Sequence, residues 1–292
     1  DNAVDTDNLG EYNANFKRFQ KHIKQGKEGF VKSAYSAYRE RSLGLGAMGF
    51  HSYLQSRSLP FEGIYATGFN HKAFKYIKTQ ATRASERLAE ERGEAPDVSG
   101  SGRRNANLLA VAPNASSSII CGGTSPSIEP YRANVYTHKT LSGSFQVKNK
   151  YLEEVLKDKG LKKDELTVVW KDIAGNEGSV QHLDILTDEE KEVFKTANEI
   201  DQIWIIEHAS KRQEFICQAQ SVNLFFTIPT ATEPQEVHDE YMQYVNDVHW
   251  YGMNKLKSLY YFRTNAARNA ENVNTKVQRI KLDDAECIAC EG

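Results

Sequence analysis

Three groups of residues in this chain have types and spacings that can do chemistry. The first is Pro113-Asn114-Ala115-Ser116-Ser117-Ser118, which follows a short apolar run. If these residues open a helix, its unpaired N–H groups and its dipole would favour an anion such as a phosphate. An N-cap and turn accounts for the same composition, since Ser and Asn favour both. The second is Cys287-Ile288-Ala289-Cys290, a C-x-x-C close to the last residue. Zinc would require two further ligands at similar spacing, and Cys121 and Cys217 stand isolated with no His pair beside them. A dithiol that cycles with a disulfide suits an accessible position better, and two idle thiols are the plain alternative. Cys121 and Cys217 themselves read as small core residues. The third is Tyr260-Tyr261 within Ser258-Leu259-Tyr260-Tyr261-Phe262-Arg263-Thr264; tyrosines are common in strands, so on composition this pair reads as packing. The eight histidines are scattered, and no zinc-protease helix, nucleophile elbow or phosphate-binding loop pattern occurs.

The elements that must position these groups follow from periodicity. Leu108 to Ala112 is a short apolar run closed by Pro113 and reads as a buried strand running into the Ser- and Gly-rich stretch 114–127. Upstream, Gly44 and Gly46 punctuate a turn that feeds a buried helix carrying Met48, Phe50, Tyr53 and Leu54. Residues 70–94 place Phe74, Ile77 and Leu88 on one face and predict an amphipathic helix ending near Gly93. Leu166 to Trp170 suggests a short strand. Thr187-Asp188-Glu189-Glu190 has the form of a capping box and is expected to open a helix of roughly 30 residues reaching Cys217, long for a globular protein. Val222 to Ile228 reads as a strand, Thr232 to Gln235 starts a second long helix, and Ser258 to Arg263 is a further strand. Strand, helix, strand with long crossovers argues for parallel pairing and an α/β class. Residues 1–30 suggest one or two surface helices, and from about Asn265 the chain is polar and reads as a mobile tail.

Composition narrows the function classes. The 292 residues hold 37 Lys+Arg against 39 Asp+Glu, a formal charge of −2, so no basic field exists to hold nucleic acid by counterion release. With 39% hydrophobic and 26% charged residues the chain has the make-up of a globular protein. Its apolar runs fall far short of the roughly 18 residues a membrane helix needs, and no membrane partner is expected. Four cysteines do not form a secreted disulfide framework, and a reducing cytoplasm is the expected compartment. The first residue is Asp1 rather than Met, which suggests a piece of something longer.

Taken in order, Arg41-Ser42-Leu43-Gly44-Leu45-Gly46-Ala47-Met48-Gly49-Phe50, the stretch 113–130, Ser258 to Thr264 and the terminal Cys287-x-x-Cys290 resemble the C-terminal half of the large, catalytic subunit of class I ribonucleotide reductases. Residues 134–149 and 215–226 extend the resemblance over nearly the whole chain. It implies an α/β fold, the second half of a ten-stranded α/β barrel over residues 1–264, with a flexible redox-active tail over 265–292. It also implies reduction of ribonucleoside diphosphates to deoxyribonucleotides, in which a cysteine thiyl radical abstracts a ribose hydrogen.

Residue roles carry over by position. Pro113, Asn114, Ala115, Ser116 and Ser117 match the loop that holds the substrate diphosphate. Tyr260 and Tyr261 match the stacked pair of a radical path, Tyr261 facing the small subunit and Tyr260 passing the hole onward. Cys287 and Cys290 match a tail dithiol that is reduced by thioredoxin or glutaredoxin. The resemblance implies no cofactor or metal on this chain, a radical supplied by a metal-containing small subunit, and nucleotide effectors on an N-terminal half. The radical cysteine's Asn-x-Cys-x-Glu segment is not found in these residues, so the chain is expected to work with a partner carrying that half. The rival expectation is a redox-responsive interaction module without catalysis.

Two geometrical expectations follow for the tyrosines. A phenol whose ordinary pKa is about 10 needs a hydrogen-bonded neighbour to take its proton on oxidation. Adjacent residues of an ideal strand point to opposite faces, so stacking of Tyr260 on Tyr261 requires a bend or a strand end.

Overall fold

The computed structural model of the chain describes residues 36–37, 39–140 and 143–265. The expected helices at 1–30 and the tail dithiol lie outside the described residues.

Four extended segments lie side by side in chain order, all parallel. Residues 43–46 lead into 107–111: Leu43 N–H bonds to Asn107 O at 2.9 Å, Leu45 N–H to Leu108 O at 2.9 Å, and Ala110 N–H returns to Leu45 O at 3.2 Å. The 107–111 segment then pairs with 218–221 through Gln218 N–H to Leu109 O (3.1 Å), Val111 N–H to Ala219 O (3.2 Å) and Ser221 N–H to Val111 O (2.9 Å). That third segment continues as β3 (Leu224–Thr227), which pairs in parallel with β4 (Phe262–Asn265) in the register Leu224↔Phe262 to Thr227↔Asn265. The parallel order expected from long crossovers is therefore present. Among the described residues the sheet is open.

Helices make the crossovers. Between the first two segments run α1 (Phe50–Gln55) and α2 (Ile64–Arg92). α1 has no side-chain cap of its own; the 125–127 segment serves instead, with Ser125 O and Ser127 O accepting the Gly49 and Phe50 N–H groups and Ser125 Oγ accepting that of Ser52. α2 is the expected amphipathic helix, starting earlier than the periodicity suggested and stopping at Gly93, whose φ of 81° suits glycine. Between the second and third segments lie α3 (Ala115–Ile120), an antiparallel hairpin of β1 (Val135–Thr140) and β2 (Gly143–Lys148), and α4 (Lys150–Asp158). They are followed by α5 (Lys163–Gly175), α6 (Asp188–Val193) and α7 (Gln202–Gln213). α8 (Gln235–Lys255) joins β3 to β4.

Two sequence expectations are overturned. Leu166 to Trp170 is no strand but the middle of α5: Trp170 and Ile173 are buried while Val168 points to solvent, a helical spacing that a five-residue apolar window hides. The 30-residue helix from Thr187 does not exist either. The capping box is real, with Thr187 Oγ1 accepting from Glu190 N–H at 3.3 Å and Thr187 N–H donating to Glu190 Oε2 at 2.8 Å, but α6 ends after six residues. A second start follows, because Glu199 accepts from the Thr196 N–H and hydroxyl and Asp201 Oδ1 caps Ile203 N–H at 3.0 Å.

The apolar interior falls into two clusters. One packs the sheet (Leu109, Val111, Val222, Leu224, Phe225) against Phe50, Phe61 and Phe74 and against Ile205 and Ile206 of α7. The other lies under the hairpin, where Leu152, Leu156, Trp170 and Ile173 meet Val180 and Phe194. Each fully buried Leu or Phe contributes about 1.5–3 kcal/mol, so the sheet is held by its crossovers rather than by its few hydrogen bonds.

Candidate functional site

The stretch after the second extended segment turns sharply at Asn114, which has φ 52° and ψ 28°, the left-handed region that Asn tolerates better than most residues. α3 begins at once. Ala115, Ser116 and Ser117 are exposed, Pro113 and Asn114 half-buried, and Ser118 buried with its hydroxyl donating to Ala115 O at 2.7 Å. The Asn114 side chain makes no capping bond; the first turn is instead closed by Ser118 N–H to Asn114 O at 3.0 Å. Ser116 and Ser117 therefore present hydroxyls to solvent beside a helix start. Gly122 and Gly123, both at positive φ, end the stretch.

Tyr260 and Tyr261 sit just before β4. Their ring centroids are 4.1 Å apart with the planes inclined at 49°. Both are 48% exposed, so the packing reading made from composition is corrected: they lie against each other, tilted rather than stacked, and not in the core. The backbone explains how neighbours can do this. Tyr260 N–H bonds to Val222 O at 3.0 Å, and in a regular parallel ladder Tyr260 O would then accept from Leu224. Instead Leu224 N–H bonds to Tyr261 O at 2.9 Å. Two residues thus oppose Asn223 alone, the signature of a β-bulge, and the usual alternation of side chains is broken. The Tyr261 N–H left over by the bulge is taken by Asn223 Oδ1 at 3.2 Å.

The electrostatics of the pair are set locally. A hydrogen bond with the Tyr261 phenol, and then its charge, push the Tyr260 phenol above its ordinary value. Arg263 Cζ lies 5.1 Å from the Tyr261 ring centroid, within cation–π range. Beneath, Asn223 is buried and donates from Nδ2 to Glu129 Oε1. Burial drives the Glu129 carboxyl up to about 7, against the opposing pull of Asn223, Arg263 and Arg132.

A cleft of about 380 Å³ reaches Tyr260 at one side and the strand end that leads into the loop at the other. Ala110, Val111 and Ala112 line it, directly before Pro113, together with Ser221, Leu259 and Tyr260. The structure thus brings Tyr260 to the same cleft as the root of the 113–117 loop, while Cys287 and Cys290 lie outside the described residues. Sequence reasoning missed Glu129 and Asn223. The signal was there for Asn223: a lone amide inside Val222-Asn223-Leu224-Phe225-Phe226, a buried strand, must find partners.

Of the two central cysteines, Cys121 departs from expectation and Cys217 meets it in part. Cys121 is exposed rather than a core residue, because it caps α3, whose one buried residue is Ser118. Cys217 packs against the core, yet Lys78 Nζ donates to its Sγ at 2.8 Å; burial would raise the thiol, but that bond and the nearby backbone N–H groups bring it down to about 7. Among the described residues no group of three or more His, Cys, Asp or Glu could hold a metal ion, and no helix is long and apolar enough to cross a membrane.

Known proteins share the fold and much of the sequence. The α subunit of the class Id ribonucleotide reductase of Actinobacillus ureae superposes with a TM-score of 0.67 at 39% identity, over 86% of this chain and 44% of that one. The ribonucleoside-diphosphate reductase large subunit of Invertebrate iridescent virus 3 is 43% identical over 89% of this chain, and that of Caenorhabditis elegans 30% identical over 88%. The chain spans about two fifths of the length of these curated relatives. The description "Ribonucleotide reductase, barrel domain" matches residues 1–101 and 95–262, and with the parallel strand order and matching fold the chain belongs to the ribonucleotide reductase barrel-domain family.

Proposed function

We propose that this chain supplies the second half of the catalytic barrel of a ribonucleoside-diphosphate reductase. Residues 1–264 form that half and 265–292 a reducing arm. Pro113, Asn114, Ala115, Ser116 and Ser117 hold the substrate diphosphate through exposed hydroxyls and first-turn N–H groups. Tyr261 accepts a hole from a small, metal-containing radical-generating subunit, and Tyr260 passes it to a cysteine on an N-terminal half, which abstracts the ribose hydrogen. Cys287 and Cys290 return electrons to the active site and are themselves reduced by thioredoxin or glutaredoxin.

The observation that carries this reading is the contact of the two phenols across the bulge, with ring centroids 4.1 Å apart. A core pair has no need of a bulge that brings adjacent side chains together at the surface. Because a phenol loses its proton when oxidised, the neighbouring Tyr261 phenol gives Tyr260 a local acceptor. The test is reconstitution: this chain, a polypeptide with the N-terminal half and the small subunit are mixed, and reduction of a ribonucleoside diphosphate is measured. Turnover that depends on all three supports the reading. Association without turnover removes it and leaves a redox-responsive interaction module.

A further inference from the structure

We propose that Glu129 is a positioning residue for the tyrosine pair, acting through Asn223. In its use for turnover, the inference rests on the radical-path reading above; in its structural core it stands alone. A parallel bulge leaves one N–H unmatched in the ladder, and at this bulge that N–H belongs to Tyr261. It is satisfied by a side chain, Asn223 Oδ1, rather than by backbone. An amide can serve there only if its orientation is fixed, because a flipped Asn223 would oppose its NH₂ to the Tyr261 N–H, donor against donor. The fixing partner is the Glu129 carboxyl, itself buried, which accepts from Asn223 Nδ2.

The chain of contacts runs Glu129 Oε1, Asn223 Nδ2, Asn223 Oδ1, Tyr261 N–H. Glu129 comes from the 125–130 segment that also caps α1, so its backbone is anchored outside β4, while Arg263 of β4 acts on its carboxyl. Removing its acceptor frees the Asn223 amide to turn, releases the Tyr261 N–H and lets the bulge relax towards a regular strand. A regular strand would send the two rings to opposite faces. Tyr260 and Tyr261 would then no longer touch.

The experiment uses the full chain with three substitutions and residue-resolved amide hydrogen exchange. Glu129→Leu keeps the volume but removes the acceptor, and Glu129→Asp keeps a carboxyl but withdraws it by one methylene. Both should speed exchange of the Tyr261 amide at least about tenfold while Phe225 and Phe226 stay within about twofold, as a lost single bond predicts. Glu129→Gln retains the accepting oxygen and should hold Tyr261 exchange within about threefold. In the reconstituted enzyme, Glu129→Asp should lower kcat about tenfold at unchanged KM, with Glu129→Gln restoring most of it. Tyr261 exchange unchanged in both Leu and Asp variants overturns the proposal, and so does a Gln variant as fast as Leu. The exchange arm needs no turnover, so an inactive mixture would count against the radical path and leave this inference to be judged by exchange alone.

Discussion

Arg212 of α7 donates from Nε to Gln220 Oε1 at 2.7 Å, tying the helix to the extended segment that follows it, although both side chains are buried. Arg212 Nη1 also donates to Asn70 Oδ1 of α2 at 3.0 Å, and its Cζ lies 5.8 Å from the Phe74 ring centroid. Three elements therefore meet on one guanidinium. Arg212→Ala should destabilise the chain by about 3–5 kcal/mol, since it opens a cavity and strands two buried amides. Arg212→Met, which restores volume, should recover part of that in urea unfolding.

Tyr260→Phe and Tyr261→Phe should each lower turnover of the reconstituted enzyme at least about a hundredfold, or about 2.7 kcal/mol of barrier. Both rings are half exposed, so the thermal midpoint should move little, within the about 0.5 kcal/mol typical of surface changes. Loss of activity together with loss of stability would instead mean a packing role.

Acid should destabilise the fold through two buried histidines. His51 accepts from Tyr131 N–H at 2.9 Å, His208 bonds through Nε2 to Phe61 O at 2.8 Å, and burial lowers them to about 3 and about 4. Their folded values lie below the ordinary 6.5, so the unfolded chain binds more protons. Their contribution is complete above about 6.5 and falls away as pH drops, through about 4 for His208 and about 3 for His51. Glu129, raised to about 7, works in the opposite sense with one proton against two. Thermal midpoints should fall between pH 7 and pH 4.5, and His51→Gln should flatten that slope.

Gly178 has φ 83°, and a Cβ there would lie 2.4 Å from Ala133 Cβ and 2.8 Å from Ala133 Cα. Gly178 O also accepts from Asn134 N–H and Nδ2, so the turn has no room to retreat. Gly178→Ala should cost about 2–4 kcal/mol. Gly160→Ala, at φ 89° but facing open space, should cost only the backbone strain of about 1–2 kcal/mol. Paired denaturant melts check the difference.

Much of this fold is legible where local chemistry decides. The capping box at Thr187, the stop at Gly93 and the apolar run Leu108 to Ala112 each express a rule acting over a few residues. The failures are of another kind. Where α6 ends is set by Thr196, Glu199 and Asp201, which compete to cap a new helix, and nothing in the preceding apolar spacing announces this. At the site, Tyr260 and Tyr261 are readable as a motif, but their contact is not. It depends on the missing rung between Tyr260 and Leu224, and that rung on a buried pair, Glu129 and Asn223, drawn from segments far apart in sequence.

The sheet has a kinetic consequence. Every neighbouring pair in it, 43–46 with 107–111, 107–111 with 218–221 and β3 with β4, joins stretches separated by at least one whole helix. No rung can form until a long loop has closed, and the entropy of closure is lost before any burial rewards it. The nascent chain must therefore wait for residues near 218 before its central strand gains a second neighbour, and slow, late maturation with a need for protection from aggregation is built into the topology.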